Sequence, residues 1–400
     1  MAQVSLSNLR AFVIVIVVAF HSCLAYLSFA PAPTTAFNQP PYSWQAFPVV
    51  DAHRWIVFDV FCAWQDVSLM ALMFFLSGLL TPRSLLRKKA MTYIYDRFWR
   101  IGFPFIFAIV FLSPLSFYPA YLMRTANSSL SGFWSQWSSL PAWPEGPQWF
   151  LWLLLVFNAV AALLYAINSR YINILGRLAA WLTTRTVRLV ALLVATSSVA
   201  YVPLALMSSP WEWAALGPFS LQICRPFLYL VYFFVGVCLG SEGLDRRWLA
   251  PEGPLGRNWF ALLIAAFVTF GVWAGFTASA FPDWTTASTT AKLGASFSFP
   301  LACASGGLFL FATFLRFAAT WRTRLIDGLS ENAYSIYLIH YVFVVWFQFA
   351  FLDTKLFVVA KAGLVLTLSL ALSLAASVAF TYLVAALPPI NKLFVLRART

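Results

Sequence analysis

The chain has 400 residues, 62% of them hydrophobic and only 10% charged, with a mean hydropathy of +0.80. A soluble globular domain carries about a quarter charged residues, so that class is excluded and an all-α polytopic membrane protein is predicted. A net charge of +13 would suggest nucleic acid in a soluble chain, so here its distribution matters more than its size.

Apolar runs of about 20 residues, the length that crosses a bilayer core, predict about ten helices. The first covers 9–29 and carries Arg10 and His21. At about 100° per residue these two side chains share one helix face, with His21 about 16 Å deeper and near the bilayer midplane. An ionisable group there costs about 2.5–3.5 kcal/mol, so it faces a cavity or the bundle interior, or a neighbouring helix satisfies it. Ser28-Phe29-Ala30 looks like a signal-peptide cleavage site, but Pro31 and the length of the run argue against cleavage. The 30–54 loop contains Asp51 and His53, and His53 reads as ordinary surface.

The second run, 55–80, carries Asp59 and Asp66 on a common face, with Asp66 at a depth close to that of His21. A carboxylate beside an imidazole would orient the ring and fix its tautomer; the other reading pairs Asp66 with an arginine such as Arg225. Between Arg83 and Arg100, ahead of the 101–120 run, six basic residues face Asp96. They read as a positive-inside loop or as a dock for a polyanionic cytosolic donor. The 121–148 loop and the start of the 149–167 run gather Trp134, Trp137, Trp143, Trp149 and Trp152 around Glu145. These read as an aromatic belt or as a platform on which a sugar stacks.

The remaining runs are 189–207, 219–240, 259–278, 294–315, 332–351 and 356–387. Arg225, ahead of Pro226, either snorkels to the interface or holds an anion. His340 lies near the middle of its run, and neutral imidazole is the usual general base. The five cysteines (Cys23, Cys62, Cys224, Cys238 and Cys303) show no paired spacing and read as small core residues, with no metal expected. Placing the N-terminus inside puts most Lys and Arg on cytoplasmic segments, as the positive-inside rule requires for ten spans with both termini cytoplasmic. That accounts for the basicity without an acidic partner. There is no internal repeat, so 1–400 reads as a single membrane-embedded domain.

Five segments in order carry a family likeness: NLRAFVIVIVVAFHS (Asn8 to Ser22), MFFLSGLL (Met73 to Leu80), DRFWRIGFP (Asp96 to Pro104), PQWFLWLLL (Pro147 to Leu155) and NAYSIYLIH (Asn332 to His340). Together they resemble the acyltransferase-3 superfamily of integral membrane acyltransferases over most of the chain. PPINKLF (Pro388 to Phe394) is similar to the branch containing periplasmic glucan succinyltransferases. Many relatives have a Glu pair near their fourth-span motif, whereas Trp149-Phe150 here has only Glu145 ahead of it. The acidic helper of His21 is therefore open among Asp66, Asp59, Asp51 and Glu145.

The resemblance implies transfer of an acetyl or succinyl group from cytosolic acyl-coenzyme A to a hydroxyl of an extracytoplasmic glycan or polysaccharide. It places the protein in a bacterial inner membrane, among membrane lipids and without nucleic acid. In that reading His21, with Asp66 and His340, performs the chemistry, either as a base or as a transient acyl carrier. Arg10 holds the phosphate or thioester end of the donor, and Arg97 and Arg100 contact its nucleotide phosphates. Asp51, Asp59, Glu145 and Trp149 are candidates on the acceptor side. The rival class is a proton-coupled secondary transporter or exporter using His21, Asp66 and His340 as a relay, although no paired broken helices support it. An acyltransferase that modifies lipid differs only in its acceptor.

Overall fold

The computed structural model describes residues 2–31, 36–125, 128–243 and 246–386. The PPINKLF segment and the basic residues that follow it lie outside these. Nine helices among the described residues are long and apolar enough to cross a membrane. In chain order the helices are α1 (Ala2–Cys23), α2 (Ile56–Lys88), α3 (Ala90–Leu122), α4 (Leu130–Ser138), α5 (Trp149–Ile167), α6 (Tyr171–Leu182) and α7 (Thr186–Met207). They continue as α8 (Pro226–Ser241), α9 (Trp259–Ala280), α10 (Thr289–Phe317), α11 (Arg324–Ala350) and α12 (Val358–Ala386). The chain is therefore an all-α membrane bundle.

The expected 219–240 span is shorter than the rest. A hairpin occupies its first residues, with β1 (Trp213–Leu216) antiparallel to β2 (Phe219–Gln222) and Trp213 opposite Gln222. The helix starts only at Pro226, whose fixed φ suits a first turn, and it has 16 residues. It nevertheless sits at the centre of the bundle, packed backbone to backbone on α2. A Cβ on Gly78 would lie 2.0 Å from the Phe233 carbonyl oxygen, one on Gly236 2.2 Å from that of Phe75, and one on Gly240 2.1 Å from that of Leu79. Small residues four apart allow this approach, and van der Waals packing then holds the helices together where lipid offers no hydrophobic drive. Gly78 in the MFFLSGLL segment is thus a packing residue.

Two five-residue π-helical stretches, Phe98–Gly102 and Ala108–Leu112, interrupt α3. Each ends two residues before a proline, Pro104 or Pro114, whose missing N–H leaves a carbonyl of the preceding turn without its usual donor.

Helix α1 begins seven residues earlier than expected: Ser5, Ser7 and Asn8 are helical, and Ser7 and Asn8 bond across the bundle. Asn8 Nδ2 donates to the carbonyls of Ala318 (2.7 Å) and Trp321 (2.9 Å), and the Ser7 and Ser330 hydroxyls are 2.7 Å apart. At the other end Gln348 Nε2 of α11 donates to the carbonyls of His21 (2.8 Å) and Ser22 (3.2 Å). These are carbonyls of the last turn, which have no partner within their own helix. Helix α1 is thus tied to α11 and its preceding loop at both ends. His21 consequently stands in the last turn of α1 rather than halfway along it.

Candidate active site

The two histidines predicted within spans meet. His340, fully buried in α11, places Nδ1 2.7 Å from the Tyr337 carbonyl and 3.2 Å from that of Ile336. A carbonyl only accepts, so His340 Nδ1 carries the proton and Nε2 is an acceptor. That Nε2 lies 3.2 Å from His21 Nδ1, which is also 2.8 Å from the Val17 carbonyl. Both neighbours of His21 Nδ1 are acceptors, so in the neutral ring this nitrogen holds the hydrogen; the tautomers follow from the network. His21 Nε2 keeps its lone pair and has no hydrogen-bond partner among the described residues. A neutral imidazole with one nitrogen locked as donor and the other unbonded is arranged as a general base.

Packing holds the pair in place. Tyr341 meets the His21 ring edge-on, with centroids 5.2 Å apart. The segment 144–148 also braces α11. Gln148 Nε2 donates to the Leu338 carbonyl at 3.0 Å, and the Tyr337 hydroxyl donates to the Pro147 carbonyl. Gly146 turns this segment with φ +57°, and a Cβ there would come within 3.0 Å of the Tyr341 ring. Tyr341 and Gln348 were not expected in the site. Tyr337, His340, Tyr341, Val344 and Gln348 nevertheless follow i, i+3, i+4, i+7, i+11 spacing, which marks one face of a helix.

Asp66 does not orient His21. Its carboxylate accepts from Arg225 Nη1 (2.8 Å) and Nη2 (2.6 Å), a bidentate pair, while the guanidinium lies 4.9 Å over the Phe299 ring. This is the alternative pairing named above, and it also corrects the picture of Arg225 as a snorkelling or anion-binding residue: its charge is directed inward. The imidazole of His340 occupies the place expected for a carboxylate.

The other acids of the acceptor side hold the loops at this end of the bundle. Asp59 accepts from the backbone N–H of Ser28 (3.0 Å) and Phe29 (3.2 Å). Asp51 is buried and accepts from Lys361 Nζ of α12 at 2.7 Å and from the His53 backbone N–H at 2.8 Å. His53 itself is exposed, as expected. Trp149 stacks on Tyr229 (5.8 Å) and meets Trp213 of the hairpin edge-on (6.1 Å), so its contacts are protein rings.

Glu145 is buried and accepts from the Ser220 backbone N–H at 2.8 Å and from the Ser220 hydroxyl, which joins the 144–148 segment to β2. Burial pushes its carboxyl up to about 7, and the Ser220 bonds only partly offset this. Because the folded state holds the proton more tightly than the unfolded one, raising pH from about 4.5 to 7 costs stability. The loss is at most about 3 kcal/mol. Glu145→Gln is expected to flatten the fall in melting temperature across this window, read by thermal unfolding in detergent from pH 4.5 to 8.

At the opposite end of α1, Arg10 Nη2 donates to the Ser330 hydroxyl at 3.3 Å. Arg10 lines a half-open cavity of about 430 Å³, together with Arg83 of α2 and Arg322 of the loop before α11. Neither Arg97 nor Arg100 lines it. Arg97 lies 4.9 Å over the Tyr93 ring, and Arg100 Nε donates to Asp96 Oδ1 at 3.0 Å, with Lys88 Nζ 3.2 Å from the other carboxylate oxygen. The described residues contain no cluster of His, Cys, Asp and Glu suited to a metal ion.

The site is thus a histidine pair on two helices tied together, with an arginine-lined cavity at the far end of the same first helix. No curated protein and no solved structure matches the chain. A family model described as an acyltransferase domain matches residues 3–385. With nearly all of its length covered by that match, the chain belongs to the acyltransferase-3 family of membrane acyltransferases.

Proposed function

We propose that the protein transfers an acyl group from acyl-coenzyme A, bound at the Arg10 end of α1, to a hydroxyl of an extracytoplasmic glycan at the His21 end. The observation that carries this reading is the contact between His340 Nε2 and His21 Nδ1, which leaves His21 Nε2 free to accept a proton. In the reaction, His21 Nε2 takes the proton of the acceptor hydroxyl as its oxygen attacks the thioester carbonyl. The C–S bond breaks, and the departing thiolate recovers that proton from Nε2. The positive charge on His21 in between is shared through Nδ1–H with the lone pair of His340. This corresponds to the part a buried carboxylate plays in a hydrolase triad. Arg10 binds the donor, and the basic stretch from Arg83 to Arg100 gives that end of the bundle a positive surface. The family likeness to glucan succinyltransferases supports a glycan acceptor and an acetyl or succinyl group. The likeness to periplasmic glucan succinyltransferases supports a bacterial inner membrane as the setting, and positive-inside charge supports the Arg10 end facing the cytoplasm.

The test is purified protein in liposomes with acyl-coenzyme A on the Arg10 side and a glucan on the other. Release of coenzyme A matched by acylated glucan supports the enzyme; proton-driven solute flux without acylation would establish the transporter instead. His340→Ala leaves the Val17 carbonyl as the one remaining acceptor for His21 Nδ1–H and removes the lone pair that shares the charge on His21. It is expected to lower kcat by about 10–10³-fold while leaving KM for acyl-coenzyme A nearly unchanged, as a positioning residue should. A loss confined to KM would remove His340 from that role.

A further inference from the structure

We propose that Arg83 and Arg322, with Arg10, form the seat for the phosphates of the donor, an assignment that rests on the acyl-coenzyme A reading above. The three arginines line one cavity of about 430 Å³, within the size range of small-molecule sites. Their charge is little neutralised. Asp327 lies 3.9 Å from Arg322, no carboxylate bonds Arg10 or Arg83 among the described residues, and Arg10 bonds only the neutral Ser330 hydroxyl. The Ser7 hydroxyl, 2.7 Å from that of Ser330, steadies this partner. Arginines brought to one cavity from α1, α2 and the loop before α11 suit a pyrophosphate or a bisphosphate, whose oxygens accept paired N–H bonds. Leu76 and Leu80, on the wall next to Arg83, offer apolar surface for the rest of the molecule.

Reach agrees with this placement. Arg10 and His21 are eleven residues apart on one continuous helix, an axial separation of about 16 Å. The pantetheine arm between pyrophosphate and sulfur has about twelve bonds, the count of four residues, and so extends about 14 Å. The thioester carbonyl beyond the sulfur then arrives at His21 when the phosphates sit at Arg10. Arg97, held over Tyr93, lies outside this line.

The full-length protein is assayed with acyl-coenzyme A and with an S-acyl-N-acetylcysteamine, a thioester that ends like pantetheine but carries no phosphate. Arg83→Gln and Arg322→Gln are each expected to lower the ratio of kcat/KM between the two donors about tenfold, and the double variant about 100-fold. Arg83→Lys should recover part of the loss. An unchanged ratio in the double variant overturns the seat, whereas acylation from neither donor by the unaltered protein overturns the enzymatic reading. Binding of adenosine 3′,5′-bisphosphate, measured by calorimetry, tests the seat without turnover: binding lost in the double variant supports it, and binding retained there overturns it. The same titration in nanodiscs with and without phosphatidylglycerol separates the two sources of phosphate. Competition by the lipid, with the variants losing lipid but not nucleotide, would make the cavity a headgroup site and overturn the donor assignment.

Discussion

His21→Ala is expected to lower kcat for acyl transfer by about 10²–10⁴-fold, the range a positioned general base supplies. The half-buried ring touches Phe20, Tyr341 and His340, so part of any loss could come from repacking rather than chemistry. His21→Asn separates the two, because it keeps a polar group beside His340 Nε2 while removing the basic nitrogen. It should lose activity as fully as alanine while unfolding at nearly the temperature of the unaltered protein. If His21 only shuttles a proton, exogenous imidazole should restore part of the activity of His21→Ala. If it carries the acyl group, mass spectrometry of the protein quenched with acyl-coenzyme A and no acceptor should find the adduct on that peptide. Full activity in His21→Ala would remove the residue from the chemistry.

Lys361→Ala is expected to destabilise the protein by about 3–5 kcal/mol, because it strands the buried Asp51 carboxylate without its counter-charge. Lys361 and Asp51 are 0% and 1% exposed, and Lys361 Nζ also donates to the Leu352 carbonyl at 2.9 Å. The double variant Lys361→Met/Asp51→Leu should lose much less than Lys361→Ala alone, since removing both charges also removes both desolvation penalties. Urea or thermal unfolding in detergent reads the difference. Equal losses in the two proteins would show that shape, rather than charge pairing, holds α12 against the loop.

The helices were legible because a bilayer demands long apolar runs, and Lys and Arg cluster between those runs. The span at 219–240 misled because Phe219–Gln222 is apolar enough to extend a run yet forms a strand, and short apolar stretches do not declare their period. The position of His21 along its helix was misread because Ser7 and Asn8 look like residues outside a helix; their bonds to Ser330, Ala318 and Trp321 help make them part of it. The meeting of His21 with His340 was anticipated only as a matter of comparable depth, since the contact spans more than 300 residues of sequence. The fate of the acids was the least legible. Asp51 and Lys361 pair across a distance that neither composition nor spacing encodes, whereas the pairing of Asp66 with Arg225 was one of the two readings the sequence offered. The arginine cavity was half readable: Arg10 stood out as a charge in an apolar helix and Arg83 opened the basic stretch for which a donor dock was one reading, but Arg322 looked like any other loop cation.

Because Asn8 and Gln348 staple both ends of the first helix, its two polar landmarks behave like marks on a ruler rather than parts of a hinge. On the proposed reaction the machine then has a stationary anvil: thioester and alcohol would travel to it from opposite compartments, and the barrier would be crossed by the length of a flexible tether instead of by rocking halves of protein.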